Sequence, residues 1–163
     1  MTPAHSAVAT VLIRPIEPRD RHGVDALLRA ILRGSSSLER GREVVSLALG
    51  ASNREYRALV ALADGDIAGV VAFGELLGSD GVIRLHLLAS RASQYREVDG
   101  QLLAMVEDTA KGVRARFIFA EIPDDQASRK MLDALDAAGY AEEARIADYV
   151  RDGVPLILLR RPL

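Results

Sequence analysis

Leu87-Leu88-Ala89-Ser90-Arg91-Ala92-Ser93-Gln94-Tyr95-Arg96-Glu97-Val98-Asp99-Gly100-Gln101-Leu102-Leu103-Ala104-Met105-Val106-Glu107 changes its period halfway along. Its opening continues the apolar run from Val82 to Ala89, which reads as a strand. Its second half puts Val98, Leu102, Met105 and Val106 at i, i+4, i+7 and i+8, one apolar face of a helix. Arg116 to Ile122 then reads as a buried strand. Strand, helix and strand in this order predict two parallel neighbours joined by a crossover of the usual hand.

Upstream of this unit the pattern is a meander. Tyr56 to Ala63 is apolar, Asp64-Gly65-Asp66 is turn chemistry, and Ile67 to Phe73 is apolar again. Gly78-Ser79-Asp80-Gly81 makes the turn into Val82; these glycines and Gly65 serve turns, not a phosphate loop. Further upstream, Val11 to Ile16 reads as a strand near a sheet edge because of Pro15. Asp20 is placed to cap a helix carrying Val24, Leu27, Leu28, Ile31 and Leu32. After Gly34-Ser35-Ser36-Ser37 a second amphipathic helix runs from Leu38 to Leu49. Downstream, Ala127 to Ala138 reads as a helix capped by the Asp124-Asp125 pair, with Gly139 at C′. Tyr140 to Tyr149 and Val154 to Leu159 close the chain as an antiparallel pair around Arg151-Asp152-Gly153.

The predicted fold is therefore mixed α/β (α+β), in the order β-α-α-β-β-β-α-β-α-β-β. It consists of a central, mostly antiparallel sheet of about seven strands flanked by four helices. Residues 1–10 read as a flexible leader and 11–163 as a single domain, which 163 residues can furnish with a sizeable core. Aromatics are only 4% of the chain, so the core must be aliphatic. The absence of cysteine excludes disulfides, thiolate metal sites and a cysteine nucleophile. A net charge of −2 with mixed signs gives no basic stripe for nucleic acid, and no apolar stretch approaches the ~18 residues of a membrane span. The default location is cytoplasmic. No histidine pair has metal-ligand spacing, so no metal is expected. His5 and His22 read as surface residues.

The element order and the stretch from Leu87 to Glu107 resemble the GNAT (N-acetyltransferase) superfamily. There the fourth strand enters a loop of the form Arg/Gln-x-x-Gly-x-Gly/Ala, which opens a helix continuing Leu-Leu-x-x-Val-Glu. Leu102-Leu103-Ala104-Met105-Val106-Glu107 matches the helix half. Gly139 to Tyr149 and Arg151-Asp152-Gly153 followed by Leu156 to Arg160 are similar to the family's last helix exit and final hairpin. The resemblance covers Val11 to Leu163. It implies an N-acetyltransferase that uses acetyl-CoA on a small-molecule or protein amine. The backbone of Leu87, Leu88 and Ala89 would hold the pantetheine arm. Amides of Gln94, Tyr95, Arg96, Glu97, Val98, Asp99, Gly100 and Gln101 would hold the pyrophosphate at a helix N-terminus.

Two departures open an alternative. Glu97 and Asp99 stand at the family's glycine positions, and Gly100 comes one residue late. A carboxylate aimed into the loop would compete for the anion site. Leu135 stands where many members carry the tyrosine that protonates the departing thiolate; Tyr140 and Tyr149 lie nearby in sequence. The alternative is a catalytically impaired GNAT-fold binding module that has lost acyl-CoA. For the transferase, an attacking amine needs a general base. His86 is the first candidate, on the face of Arg84 and Leu88 by strand alternation, and Glu75 at the end of the preceding strand is the second. Tyr140 is the candidate acid. Oligomeric state is undetermined by the sequence, with a homodimer the common outcome for soluble chains.

Overall fold

In the computed structural model, which describes residues 11–50, 53–91 and 97–163, a seven-stranded sheet has the order β1-β2-β3-β4-β5-β7-β6. The strands are β1 (Val11–Pro15), β2 (Arg57–Ala63), β3 (Asp66–Glu75), β4 (Val82–Ser90), β5 (Phe117–Pro123), β6 (Ala141–Arg151) and β7 (Val154–Pro162). The helices are α1 (Arg21–Ile31), α2 (Ser37–Ala48), α3 (Val98–Gly112) and α4 (Arg129–Ala137). Every pairing is antiparallel except β4 with β5, the pair that α3 connects. The expected order, meander, crossover and closing hairpin are all present. β1 is the edge strand that Pro15 implied. Gln94, Tyr95, Arg96 and the leader 1–10 lie outside the described residues. Among the described residues no helix is long and apolar enough to cross a membrane.

The sheet separates two aliphatic cores. Val24, Leu27 and Leu28 of α1 and Val44 and Val45 of α2 pack on Val60, Val70, Ala72, Leu87 and Ala89. On the other face, Val98, Leu102 and Val106 of α3 and Leu135 of α4 pack on Val71, Phe73, Ile83, Leu85, Leu88 and Ile118. The period-2 alternation of the strands thus serves both helical layers at once. Gly69 lets α3 come down onto β3. A Cβ there would lie 2.8 Å from Val98 Cγ1 and 3.0 Å from Leu102 Cδ1. That close approach fixes where α3 begins beside the end of β4.

Two local expectations are corrected. Asp20 makes no side-chain cap on α1. Its carboxylate instead takes two bonds from the Arg14 guanidinium, at 2.6 and 2.8 Å, and one from the Glu17 amide at 2.8 Å. It therefore pins the exit of β1, and the Arg14 bonds hold its carboxyl below the usual aspartate range. Tyr140 is buried in the α3–α4 core. α4 ends in a Schellman motif: Gly139, at φ +85°, donates to Asp136 O, and the Tyr140 amide donates to Leu135 O. The motif turns Tyr140 inward onto Leu135, so its phenol is a core group and not an acid facing a ligand.

Candidate active site

β4 and β5 pair only from Val82↔Phe117 to Leu85↔Ala120, although β4 continues to Ser90 and β5 to Pro123. Beyond that point β7 stays with β5, and β3 stays with β4. The sheet therefore splits along one line. Leu87 to Ser90 keep a strand neighbour on the β3 side alone, and His86 is paired on neither side. The split opens a cleft of about 510 Å³. Its walls are Leu87, Leu88, Ala89 and Ser90 of β4, Glu121 to Pro123 of β5, the end of the α1–α2 connection, the early turns of α2 with Arg40, and the start of α4. Tyr149 and Val150 of β6 also line it. The size suits a small ligand site, and an open strand edge offers main-chain donors and acceptors to an extended one. Ser35 Oγ donates to Asp125 Oδ2 at 2.8 Å, tying the α1–α2 turn to the loop before α4. Burial alone would raise the Asp125 carboxyl, but bonds from Ser128 and Ser35 hold it below its ordinary value.

A bulge sits at the fork. Ala72 pairs with Leu87 and Phe73 with Leu85, which leaves His86 without a partner in β3. The extra residue reverses the alternation beyond it. Leu88 consequently joins the α3 core and Leu87 the α1–α2 core. Simple alternation had placed Leu88 with Arg84; the bulge puts them on opposite faces. His86 lines the cleft, with its ring stacked on Tyr56 at 4.8 Å. Its Nε2 lies 3.0 Å from the Glu55 carbonyl. A carbonyl only accepts, so Nε2 carries the proton and Nδ1 has the lone pair. Burial, reinforced by Arg84 and Arg40, pushes the imidazole below its ordinary value, against the Glu55 bond.

The other candidates disperse. Glu75 is absent from the cleft lining; it pairs with Arg54 at 3.3 Å and borders a small hollow with Phe73 and Thr109. Glu97 is exposed and forms no cap on α3. Asp99 lines the cleft and lies 3.6 Å from Lys130 Nζ. Lys130 also donates to Ser90 O at 2.8 Å and Ser90 Oγ at 2.6 Å, bridging α4 to the end of β4. Val98 is buried under Gly69, and Gly100 is exposed with open space around it. Leu135, at the tyrosine position, is fully buried in the core.

Three charged lining residues escaped the sequence reading as site groups, Arg40, Glu121 and Lys130, and Tyr149, noted there only as lying near the missing acid, also lines the cleft. Arg84 and Arg40 both approach Glu121 Oε2, Arg84 in close contact and Arg40 at 3.8 Å. Glu121 carried a signal, since it is a charge between Ala120 and Ile122 in an otherwise apolar strand. Tyr149 is the only tyrosine among the described lining residues.

Solved structures share this architecture. A GNAT-family protein from Desulfovibrio desulfuricans superposes with a TM-score of 0.83 at 22% identity, over 94% of this chain and 99% of that one. An N-acetyltransferase from Staphylococcus aureus Mu50 gives 0.75 at 12% identity, over 94% and 99%. The yncA protein of Salmonella typhimurium, solved with its cofactor acetyl-CoA, gives 0.69 at 15% identity, over 94% of each chain. No protein-family model and no curated protein matches the sequence. The chain has the GNAT fold.

Proposed function

We propose that this GNAT-fold chain is an acetyl-CoA-dependent N-acetyltransferase acting on a primary amine. The observation that carries the reading is the unpaired edge of β4 from His86 to Ser90, lying open along a cleft. The residues there fit an acyl-CoA. Main-chain groups of Leu87, Leu88 and Ala89 would take the pantetheine arm by strand-like bonds, and the start of α3 offers a helix N-terminus to the pyrophosphate. Asp99 lies 3.6 Å from Lys130 Nζ, whose charge partly offsets its own beside that anion site. When bound, acetyl-CoA supplies the activated acetyl group that the amine accepts.

The chain's own groups cover the proton steps. The amine must shed a proton as it forms its new bond, and His86 Nδ1, which has no hydrogen-bond partner among the described residues, is the base at the fork. Its depressed basicity keeps it unprotonated at neutral pH. Tyr149 supplies a hydroxyl in the same cleft to protonate the departing thiolate, in place of a tyrosine at Leu135. The test is thiol release with Ellman's reagent over a panel of amines. The chain has no cysteine, so the protein contributes no background. Absence of both thiol release and acetyl-CoA binding would favour the alternative, a binding module without acyl-CoA, that Glu97, Asp99 and Leu135 suggest.

The two acids should differ in effect. Asp99→Asn will strengthen CoA binding up to about fivefold, because a carboxylate partly offset by Lys130 and screened by water opposes a pyrophosphate by about 1 kcal/mol or less. Glu97→Gln will change affinity much less, since Glu97 faces solvent. Calorimetric titration of CoA into each variant at low salt measures the contrast; equal effects would contradict the assigned orientations.

A further inference from the structure

The cleft's charges select an acceptor. Resting on the acyltransferase reading above, we propose that the acceptor is a small primary amine with a carboxylate close to its nitrogen, an α-amino acid or near relative. Arg40, Arg84 and Lys130 line the cleft against Asp99 and Glu121. Lys130 and Asp99 lie together at the α3 end of the cleft, where they offset each other. The fork end is left with two guanidiniums and a single carboxylate.

Their arrangement leaves donors free. Both arginines approach the same oxygen, Glu121 Oε2. At 3.8 Å, Arg40 is beyond hydrogen-bond reach of it, and Arg40 is 43% exposed. The Arg84 Nε has no hydrogen-bond partner among the described residues but is shielded from solvent, so the donors that a ligand reaches are those of Arg40. A guanidinium with open donors matches a carboxylate in charge and shape. Among the described residues no donor bonds Glu121 Oε1, which is left to accept from an ammonium group. Because both cations converge on Glu121, the ligand's two charged groups must lie only a few ångströms apart. A polyamine would meet net positive charge here and leave the guanidinium donors unused. A neutral monoamine would leave them unused as well.

The bulged His86 lies on the same lining as this charge cluster. An amine held toward Glu121 therefore stands beside the proposed base, with its carboxylate toward Arg40 in the early turns of α2. Hydroxyls of Ser36 and Ser37 line the same stretch.

The experiment compares matched pairs that differ only in the carboxylate: L-phenylalanine against phenethylamine, and L-lysine against cadaverine, with spermidine as a polycation. Thiol release from acetyl-CoA gives kcat/KM, and calorimetry of each amine into the free protein gives binding without turnover. The amino acid of each pair should be favoured by about tenfold or more, the worth of one charged hydrogen bond. Arg40→Ala should erase most of that preference through KM while kcat is largely kept. Preference for phenethylamine, cadaverine or spermidine overturns the inference, and so does a preference that Arg40→Ala leaves intact. If acetyl-CoA binds but neither amino acid binds or reacts, the acceptor assignment fails and the transferase reading stands. If acetyl-CoA itself gives no heat, both fail together.

Discussion

Gly74→Ala will destabilise the protein by about 3 kcal/mol, the upper part of the range for overpacking a tight site. A Cβ at Gly74 would stand 1.9 Å from the Glu55 carbonyl oxygen, 2.1 Å from its carbon and 2.7 Å from the Arg54 oxygen. All three are main-chain atoms, so no side chain can swing away to make room. The Arg54 carbonyl already accepts from the Glu75 amide at 2.8 Å, which ties this segment to the end of β3. Relief therefore means lifting residues 54–56 off the sheet. For a chain of this length the loss corresponds to a fall in melting temperature of about 6–12 °C. A calorimetric or circular-dichroism melt reads it. The same displacement moves the Glu55 carbonyl from His86 Nε2 and disturbs the stack of Tyr56 on the imidazole. Activity should fall by more than the loss of folded protein explains. An unchanged melting temperature would show that residues 54–56 do not pack over β3 as described.

His86→Ala will lower kcat/KM by about 10²- to 10⁴-fold, the usual contribution of a positioned base. His86→Gln should do the same while filling much of the space. Two pH effects follow from the depressed imidazole. The base acts in its neutral form, so the acid limb of the wild-type rate profile will lie below the ordinary histidine value of 6.5. Stability carries the matching sign. Below 6.5 the unfolded chain takes up a proton that folded His86 resists, so the unfolded state binds more protons and folding weakens as pH falls. Above 6.5 that stability is fully present. His86→Gln removes this part of the slope. Imidazole titration by NMR, with denaturation at several pH values, measures both effects; a profile limb above 6.5 would point to a different base.

What the sequence made legible was periodic. The change of period at Ser90 to Val98 forecast the parallel β4–β5 pair, and the turn chemistry at Asp64-Gly65-Asp66 forecast the β2–β3 hairpin. Both depend on residues near each other in the chain. The site does not. The fork exists because pairing stops after Leu85, and apolar runs of β4 and β5 read the same whether paired or splayed. The bulge at His86 adds one residue with no compositional mark, and it inverted the expected face of Leu88. Arg40, Arg84 and Glu121 meet across three elements, a conjunction that no local window contains. Tyr140 misled because a tyrosine after a helix-ending glycine is equally what a Schellman motif buries. For Glu97 and Asp99 the sequence posed the right question, which was where the carboxylates point, and side-chain placement answered it differently for the two.

We propose that the split between β4 and β5 receives an acyl-CoA. Isothermal titration of acetyl-CoA into the intact protein tests it most directly, at two ionic strengths. We predict saturable heat at one site per chain, weakening as salt screens the phosphate contacts, and stronger binding in Asp99→Asn. No heat at roughly 1 mM ligand, where even a weak site of about −4 kcal/mol would begin to fill, would contradict it.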